Sequence, residues 1–197
     1  MKQVIFLTGN AGKFHEAEVI FQKEIPRVLL EQDPSPLIEV QSDSLEEVAR
    51  FKLRSFVERR EKHVSSCFTE DAGFFVSPQL KGFPGVYSAY VQKTIGNPAI
   101  LKLMEGVKDR RCNFKACIAF YSERTREIVT FSGMVDGTVA FEQRGTGGFG
   151  FDPIFLPNEI LGMTFAELSV EEKSTISHRG RALTSFIVFL KENLDII

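Results

Sequence analysis

Three carboxylates, Glu39, Glu70 and Asp71, and five basic side chains, Lys13, Lys52, Lys173, His178 and Arg179, are the residues whose types could do chemistry together. Carboxylates on strand ends facing a lysine-lined cleft suit a hard cation such as Mg²⁺, which leaves its remaining positions to water and substrate phosphates. The basic set would meet the same phosphates. Each also has a plainer reading. Glu70-Asp71 before Ala72-Gly73 is also an ordinary turn start, Glu171-Glu172-Lys173 a polar helical turn, and a lone His near a helix start a satisfied cap.

Elements must bring these groups together. Lys13 closes the stretch Thr8-Gly9-Asn10-Ala11-Gly12-Lys13, which follows the apolar run Val4-Ile5-Phe6-Leu7 and precedes a helical pattern over residues 14–21. Ala17, Ile20 and Phe21 repeat at helix spacing, with Glu16 and Glu18 read as lying off that face. Strand, glycine loop and helix in this order aim backbone N–H groups and the positive end of a helix dipole at the loop mouth, the outline of a phosphate cradle. It is not the P-loop G-x-x-x-x-G-K-[ST]: Leu7 stands where the first Gly belongs, and Phe14 where the metal-binding hydroxyl belongs. A Gly turn between strand and helix is also common in α/β proteins that bind no phosphate.

Ser44-Leu45-Glu46-Glu47 reads as a capping box that opens a helix to about Lys62. Its apolar stripe is Leu45, Val48, Ala49, Leu53 and Phe56, and Lys52 falls inside it. Such a lysine either snorkels at the end of a packed stripe or points its ammonium into an anion-holding cleft.

Short strands are expected over residues 27–31 and 37–41 around Asp33-Pro34-Ser35-Pro36, with Glu39 on the face opposite Ile38 and Val40. Residues 66–76 are strand-like around the acidic pair. Asn97-Pro98 predicts a helix to about Glu105, with Asn as cap. Residues 113–121 and 127–135 predict a long hairpin, followed by a turn at Asp136-Gly137 and a strand over 138–142. Four glycines within residues 145–150 mark a shaped loop, and residues 182–190 form the apolar face of a last helix.

Length and composition set the class. At 197 residues with 43% hydrophobic and 25% charged content, the chain suits one α/β domain over residues 1–197, without an internal linker. A net charge of −2 opposes charge-driven nucleic-acid binding. Nineteen Phe and no Trp predict a Phe-packed core, with rings to spare for stacking on a base. No run of 18 apolar residues and no leader-like Met1 end are seen, so no membrane association and a cytoplasmic location are expected. Cys67, Cys112 and Cys117 read as free buried thiols, the last two on opposite faces of one strand.

Five stretches in register carry a resemblance. They are Thr8–Lys13, Glu70-Asp71-Ala72-Gly73, residues 82–88 (Gly-Phe-Pro-Gly-Val-Tyr-Ser), residues 148–155 (Gly-Phe-Gly-Phe-Asp-Pro-Ile-Phe), and Glu172-Lys173-Ser174 with Ser177-His178-Arg179. The chain resembles the inosine triphosphate pyrophosphatase family over nearly its full length. The resemblance implies an elongated, two-lobed α/β fold in which a long mixed sheet floors a cleft, and a homodimer. It implies Mg²⁺-dependent hydrolysis of ITP, dITP or XTP to monophosphate and pyrophosphate. Carried over, Thr8, Gly9, Asn10, Ala11, Gly12, Lys13 and Lys52 bind the triphosphate. Glu39 and Asp71 hold Mg²⁺, and Asp71 activates water. Phe149 stacks on the base, and Gly150, Phe151, Asp152, Lys173, His178 and Arg179 complete the base and phosphate contacts. The family usually has Ser or Thr where this chain has Ala72, so only that residue's backbone N–H remains to donate. The rival readings are a non-catalytic nucleotide- or RNA-binding module built on residues 178–181, and a relative acting on pyrimidine triphosphates.

Overall fold

The β1 strand (Lys2–Leu7) runs parallel to β2 (Val28–Asp33) because helix α1 (Ala11–Glu24) carries the chain back across the sheet between them. The computed structural model describes residues 2–60 and 64–197. A second crossover, α2 (Leu45–Glu58), returns to β3 (Cys67–Val76), again parallel to β1. From there the sheet turns antiparallel through β5 (Arg111–Tyr121), β6 (Ile128–Val139) and the short β7 (Phe155–Pro157). Among the described residues the sheet has seven strands in the order β2-β1-β3-β5-β6-β7, with β4 (Pro84–Gly85) on the free edge of β3. Helices α3 (Ser88–Thr94) and α4 (Gly96–Leu103) follow β4, while α5 (Val170–Ile176) and α6 (His178–Glu192) close the chain. This is the expected mixed α/β fold.

Unequal pairing along β3 makes the cleft. All ten residues of β3 pair with β5, from Cys67↔Tyr121 to Val76↔Cys112, but only Cys67 and Phe68 pair with β1. The strand β4 reaches the same edge only at Phe74 and Phe75. Between these contacts the edge from Thr69 to Gly73 is left open, and the cleft lies there, between two lobes.

Phenylalanine packs both lobes, as the composition predicts. Under α1 and α6, the rings of Phe6 and Phe68 stack at 4.3 Å, with Phe186 5.0 Å from Phe68. In the other lobe, Phe114 and Phe155 meet edge to face at 4.9 Å. Burial of this kind is worth about 1.5–3 kcal/mol per large apolar side chain. Cys112 and Cys117 join different clusters on opposite faces of β5, and all three cysteines are free and buried. Among the described residues no helix is long and apolar enough to cross a membrane.

Several expectations fail locally. Residues 37–41 form no strand, since Pro34 and Pro36 lack donors and no partner strand lies alongside. Asp136-Gly137 is no turn. Both residues pair inside β6, with Asn113 and Cys112, and a Cβ at Gly137 would collide with the Leu156 carbonyl and the Phe155 ring. The glycine admits a crossing chain. Asn97 does not cap α4, which begins at Gly96 with Ile95 as its N-cap. In α2 the Ser44 side chain accepts from the Glu47 N–H, but Glu47 turns to the Ser42 hydroxyl instead of closing the box. That helix ends at Glu58, and the expected end at Lys62 lies outside the described residues.

Candidate active site

A cleft of about 640 Å³ opens over the free edge of β3, a size suited to a nucleotide. At one end Lys52 reaches it from α2. Its ammonium lies 2.7 Å from Glu39 Oε1 and donates to Asp71 Oδ1 at 2.9 Å. The side chain is buried on the stripe as the spacing predicts, and it is aimed into the cleft rather than snorkelling. Burial alone would lower the Lys52 pKa, but Asp71 and Glu39 outweigh it and hold the pKa above the ordinary value. The two carboxylates expected to hold a metal therefore do converge, on one cation. Among the described residues no group of three or more His, Cys, Asp or Glu is placed to hold a metal ion. A pair of carboxylates fits Mg²⁺, which is commonly held by one or two of them with substrate phosphates supplying further oxygens.

The first loop forms the adjoining wall. Asn10 caps α1, its Oδ1 accepting from the Lys13 N–H at 3.0 Å, while its own N–H donates to Thr8 Oγ1 at 3.1 Å. The cap leaves the N–H groups of Ala11 and Gly12 without partners in the helix, at its positive end. Thr8, Gly9, Asn10 and Lys13 line the cleft, but Ala11 and Gly12 do not. Close approach of an anion is not what requires Gly12. A Cβ there would stand 2.7 Å from the Phe149 ring, so this glycine seats the aromatic instead.

Lys13 also ties this wall to the open edge, donating to the Glu70 carbonyl at 3.0 Å. Strand alternation places the N–H and C=O of Ala72 on the same edge as the Glu70 carbonyl and as Phe74 N–H, which donates to Ser88 Oγ. Ala72 lines the cleft, so the missing hydroxyl leaves a backbone donor facing it.

At the other end the glycine loop carries Phe149, Gly150, Phe151 and Asp152 into the lining. Gly148 adopts φ +64, and a Cβ there would collide with the Asp152 carboxylate, which accepts from the Phe149 N–H at 2.7 Å. Phe149 is half-buried, with the Lys173 ammonium 5.0 Å and the Arg179 guanidinium 5.2 Å from its ring centre. Phe151 is buried and stacks on Phe74 at 5.0 Å.

Beneath Phe149 lies a buried ionic network that the sequence reading only half contained. Lys173 donates to Glu16 Oε1 at 2.7 Å and to Asp152 Oδ2 at 2.6 Å. It lies behind the lining rather than in it. Arg179 donates through Nη1 to Glu16 Oε2 at 2.5 Å, and through Nε and Nη2 to Glu70 at 3.0 and 3.2 Å. Glu16, placed off the apolar face by the sequence reading, is 7% exposed. The signal was available, because Lys13, Glu16, Ala17 and Ile20 share one helical stripe. Burial would raise the Glu70 pKa, but Arg179 and Lys13 pull it down to about 2. Glu16 is lowered against burial by Arg179 and Lys173, whereas burial wins at Asp152 and raises it despite Lys173.

His178 opens α6, but the cap is Ser177, which accepts from the Gly180 N–H. The imidazole stacks on Phe114 at 4.6 Å, and its Nδ1 is buried without a partner. Burial first, and then Arg179, holds its pKa well below the ordinary value, so the ring is neutral at pH 7. The native state therefore refuses a proton that the unfolded chain accepts below about pH 6.5, and stability must fall with pH in that window. One proton sets the ceiling on that slope at about 1.4 kcal/mol per pH unit, and it acts before most carboxylates titrate. Denaturant melts of His178→Gln should show this slope removed. An equal slope in the variant would exclude His178 as its source.

A model of the Ham1 family matches residues 4–189. The chain is 48% identical over 192 residues to a dITP/XTP pyrophosphatase of Thermococcus kodakarensis, covering 98% of this chain and 99% of that one. It is 47% identical over 195 residues to a dITP/XTP pyrophosphatase of Methanopyrus kandleri, covering 98% of each. A solved HAM1 protein from Coxiella burnetii superposes with a TM-score of 0.80 at 28% identity, covering 98% of this chain and all of the other.

Proposed function

We infer the function from one premise: this chain belongs to the Ham1 family, matched over residues 4–189. It is a nucleoside triphosphate pyrophosphatase that hydrolyses dITP and XTP, and by the same chemistry ITP, to the monophosphate and pyrophosphate. The observation that carries this reading is the Lys52 ammonium shared by Glu39 and Asp71 at one end of a nucleotide-sized cleft. An aromatic ring and a neutral imidazole stand at the other end.

Glu39 and Asp71 would hold Mg²⁺, which when bound neutralises phosphate charge. Asp71 Oδ1 is engaged by Lys52, which leaves Oδ2 to take a proton from water as that water attacks the α-phosphorus. The bond from that phosphorus to the bridging oxygen breaks, and pyrophosphate departs. Lys52 and the cleft-lining residues of the first loop, Thr8, Gly9, Asn10 and Lys13, stabilise the charge gathering on the departing oxygens. The base lies toward Phe149, beside His178, which lines the same part of the cleft. The reading extends to a homodimer, carried by the resemblance, and to the cytoplasmic location expected from the sequence.

Pyrophosphate release from a panel of triphosphates tests this. With Mg²⁺ present, dITP, XTP and ITP should exceed ATP and GTP in kcat/KM by at least about a hundredfold, as a site that leaves its buried polar groups unpaired with the wrong base would. Chelation should abolish turnover, and Mg²⁺ should restore it. Release of orthophosphate, or equal rates across the panel, would overturn the assignment.

A further inference from the structure

Asn97, expected as a helix cap, is instead 5% exposed beside the glycine loop, which it touches twice. Its Nδ2 donates to Gln143 Oε1 at 3.0 Å and to the Gly150 carbonyl at 3.2 Å, so the two hydrogens of one amide tie the chain just before the loop to the loop's last glycine. Gln92 adds a third bond, its Nε2 donating to the same Gly150 carbonyl at 3.1 Å. The other hydrogen bonds of this loop stay within it, run to residues 162–167, or pass through Asp152 to Lys173. Among the described residues only those from Gln92 and Asn97 reach across to α3 and α4.

The loop needs such a hold. Gly150 sits at φ +65 with no atom within 4 Å of where a Cβ would be, so packing does not fix it on that side. The arrangement also leaves two acceptors, Asn97 Oδ1 and Gln92 Oε1, buried without partners. Turning the Asn97 amide over would set oxygen against the oxygens of Gly150 and Gln143, so the donors are what this position supplies and the orphaned acceptor is tolerated.

We propose that Asn97, assisted by Gln92, is a positioning residue for base binding: it fixes Gly150, and through it the Phe149 ring beside the cleft. The inference rests on the reading above that Phe149 carries the base. Phosphate contacts come from other elements, so the effect should fall on substrates that carry a base and spare those that do not.

Three variants test it. Asn97→Ala removes the donors, Asn97→Asp removes them isosterically, and Gln143→Glu adds a charge beside the same contact while keeping its acceptor. Both Asn97 variants should raise KM for dITP about tenfold with kcat within about threefold of the parent, and leave inhibition by inorganic pyrophosphate unchanged. The Gln143→Glu variant should behave as the parent. Amide hydrogen exchange over residues 145–150 should quicken at least about tenfold in both Asn97 variants. If Asn97→Asp does not fold, Asn97→Ala carries the test alone. Unchanged KM and exchange would overturn the proposal, as would pyrophosphate inhibition weakening by the same factor as dITP binding. If the parent itself releases no pyrophosphate from dITP, the functional reading falls, and exchange still decides whether Asn97 holds the loop.

Discussion

Asp71→Asn is expected to leave a folded protein whose kcat for dITP is lower by about 10³-fold or more. Asparagine keeps the shape and one oxygen to accept from Lys52, which retains Glu39 as its other carboxylate. Asp71 lies at the cleft with its side chain 13% exposed, so an uncharged amide there creates no buried orphan charge, and the melting temperature should shift little. On the proposed mechanism the substitution removes the oxygen that takes the proton, an effect commonly worth about 10²–10⁴-fold, and weakens one of the two proposed metal ligands. Stopped assays at saturating Mg²⁺ measure it. Retention of even about a tenth of parental kcat would take Asp71 out of the chemistry and leave it as a partner for Lys52.

What could be read from the sequence follows from where the chain obeys local rules. Lys52 was legible because a charge inside an otherwise apolar helical stripe has few explanations. The glycine loop was legible because its composition suits neither helix nor strand. The Phe core followed from counting. Contacts made at a distance were not legible. Asp136-Gly137 has turn chemistry, but Phe155 crosses the sheet there and needs a residue without a side chain. Asn97-Pro98 has cap chemistry, but a loop about 50 residues further along claims the amide. Gly12 looked like a phosphate glycine and is a seat for Phe149. Residues 37–41 alternate like a strand, yet Ile38 and Val40 are exposed while Leu37 packs on the core and Glu39 turns to Lys52. The open edge of β3, which creates the cleft, depends on how far β1 runs beside it, and no local pattern records that.

Glu16 is the instructive omission. A glutamate on a helix is usually solvated, and the rule fails here because two cations from α5 and α6 meet it in the interior. Such a group costs much to bury and is kept only with its partners in place. The same logic changes what Arg179 is for. Three of its donors go to Glu16 and Glu70, so its first duty is to neutralise two buried carboxylates. Recognition of a base oxygen can use only what remains.

Arg179→Ala should therefore act on stability before it acts on selectivity, costing about 3–5 kcal/mol of unfolding free energy, the usual effect of stranding a buried charge. Glu70→Gln should cost less, because Arg179 keeps Glu16 and the amide still accepts a hydrogen bond. The double variant should be more stable than the sum of the single effects predicts, by about 1 kcal/mol or more, since the removed cation no longer leaves Glu70 charged and alone. Denaturant melts of the four proteins at pH 7 close this cycle. Additive effects would mean that the two side chains do not meet in solution, and the network beneath Phe149 would have to be redrawn. Base choice is best measured in the double variant, once its melt shows it folded at the assay temperature. If Arg179 also reads the purine, the ratio of dITP to dATP hydrolysis should fall there relative to Glu70→Gln alone. An unchanged ratio would confine Arg179 to holding the carboxylates and leave His178 and the loop to choose the base.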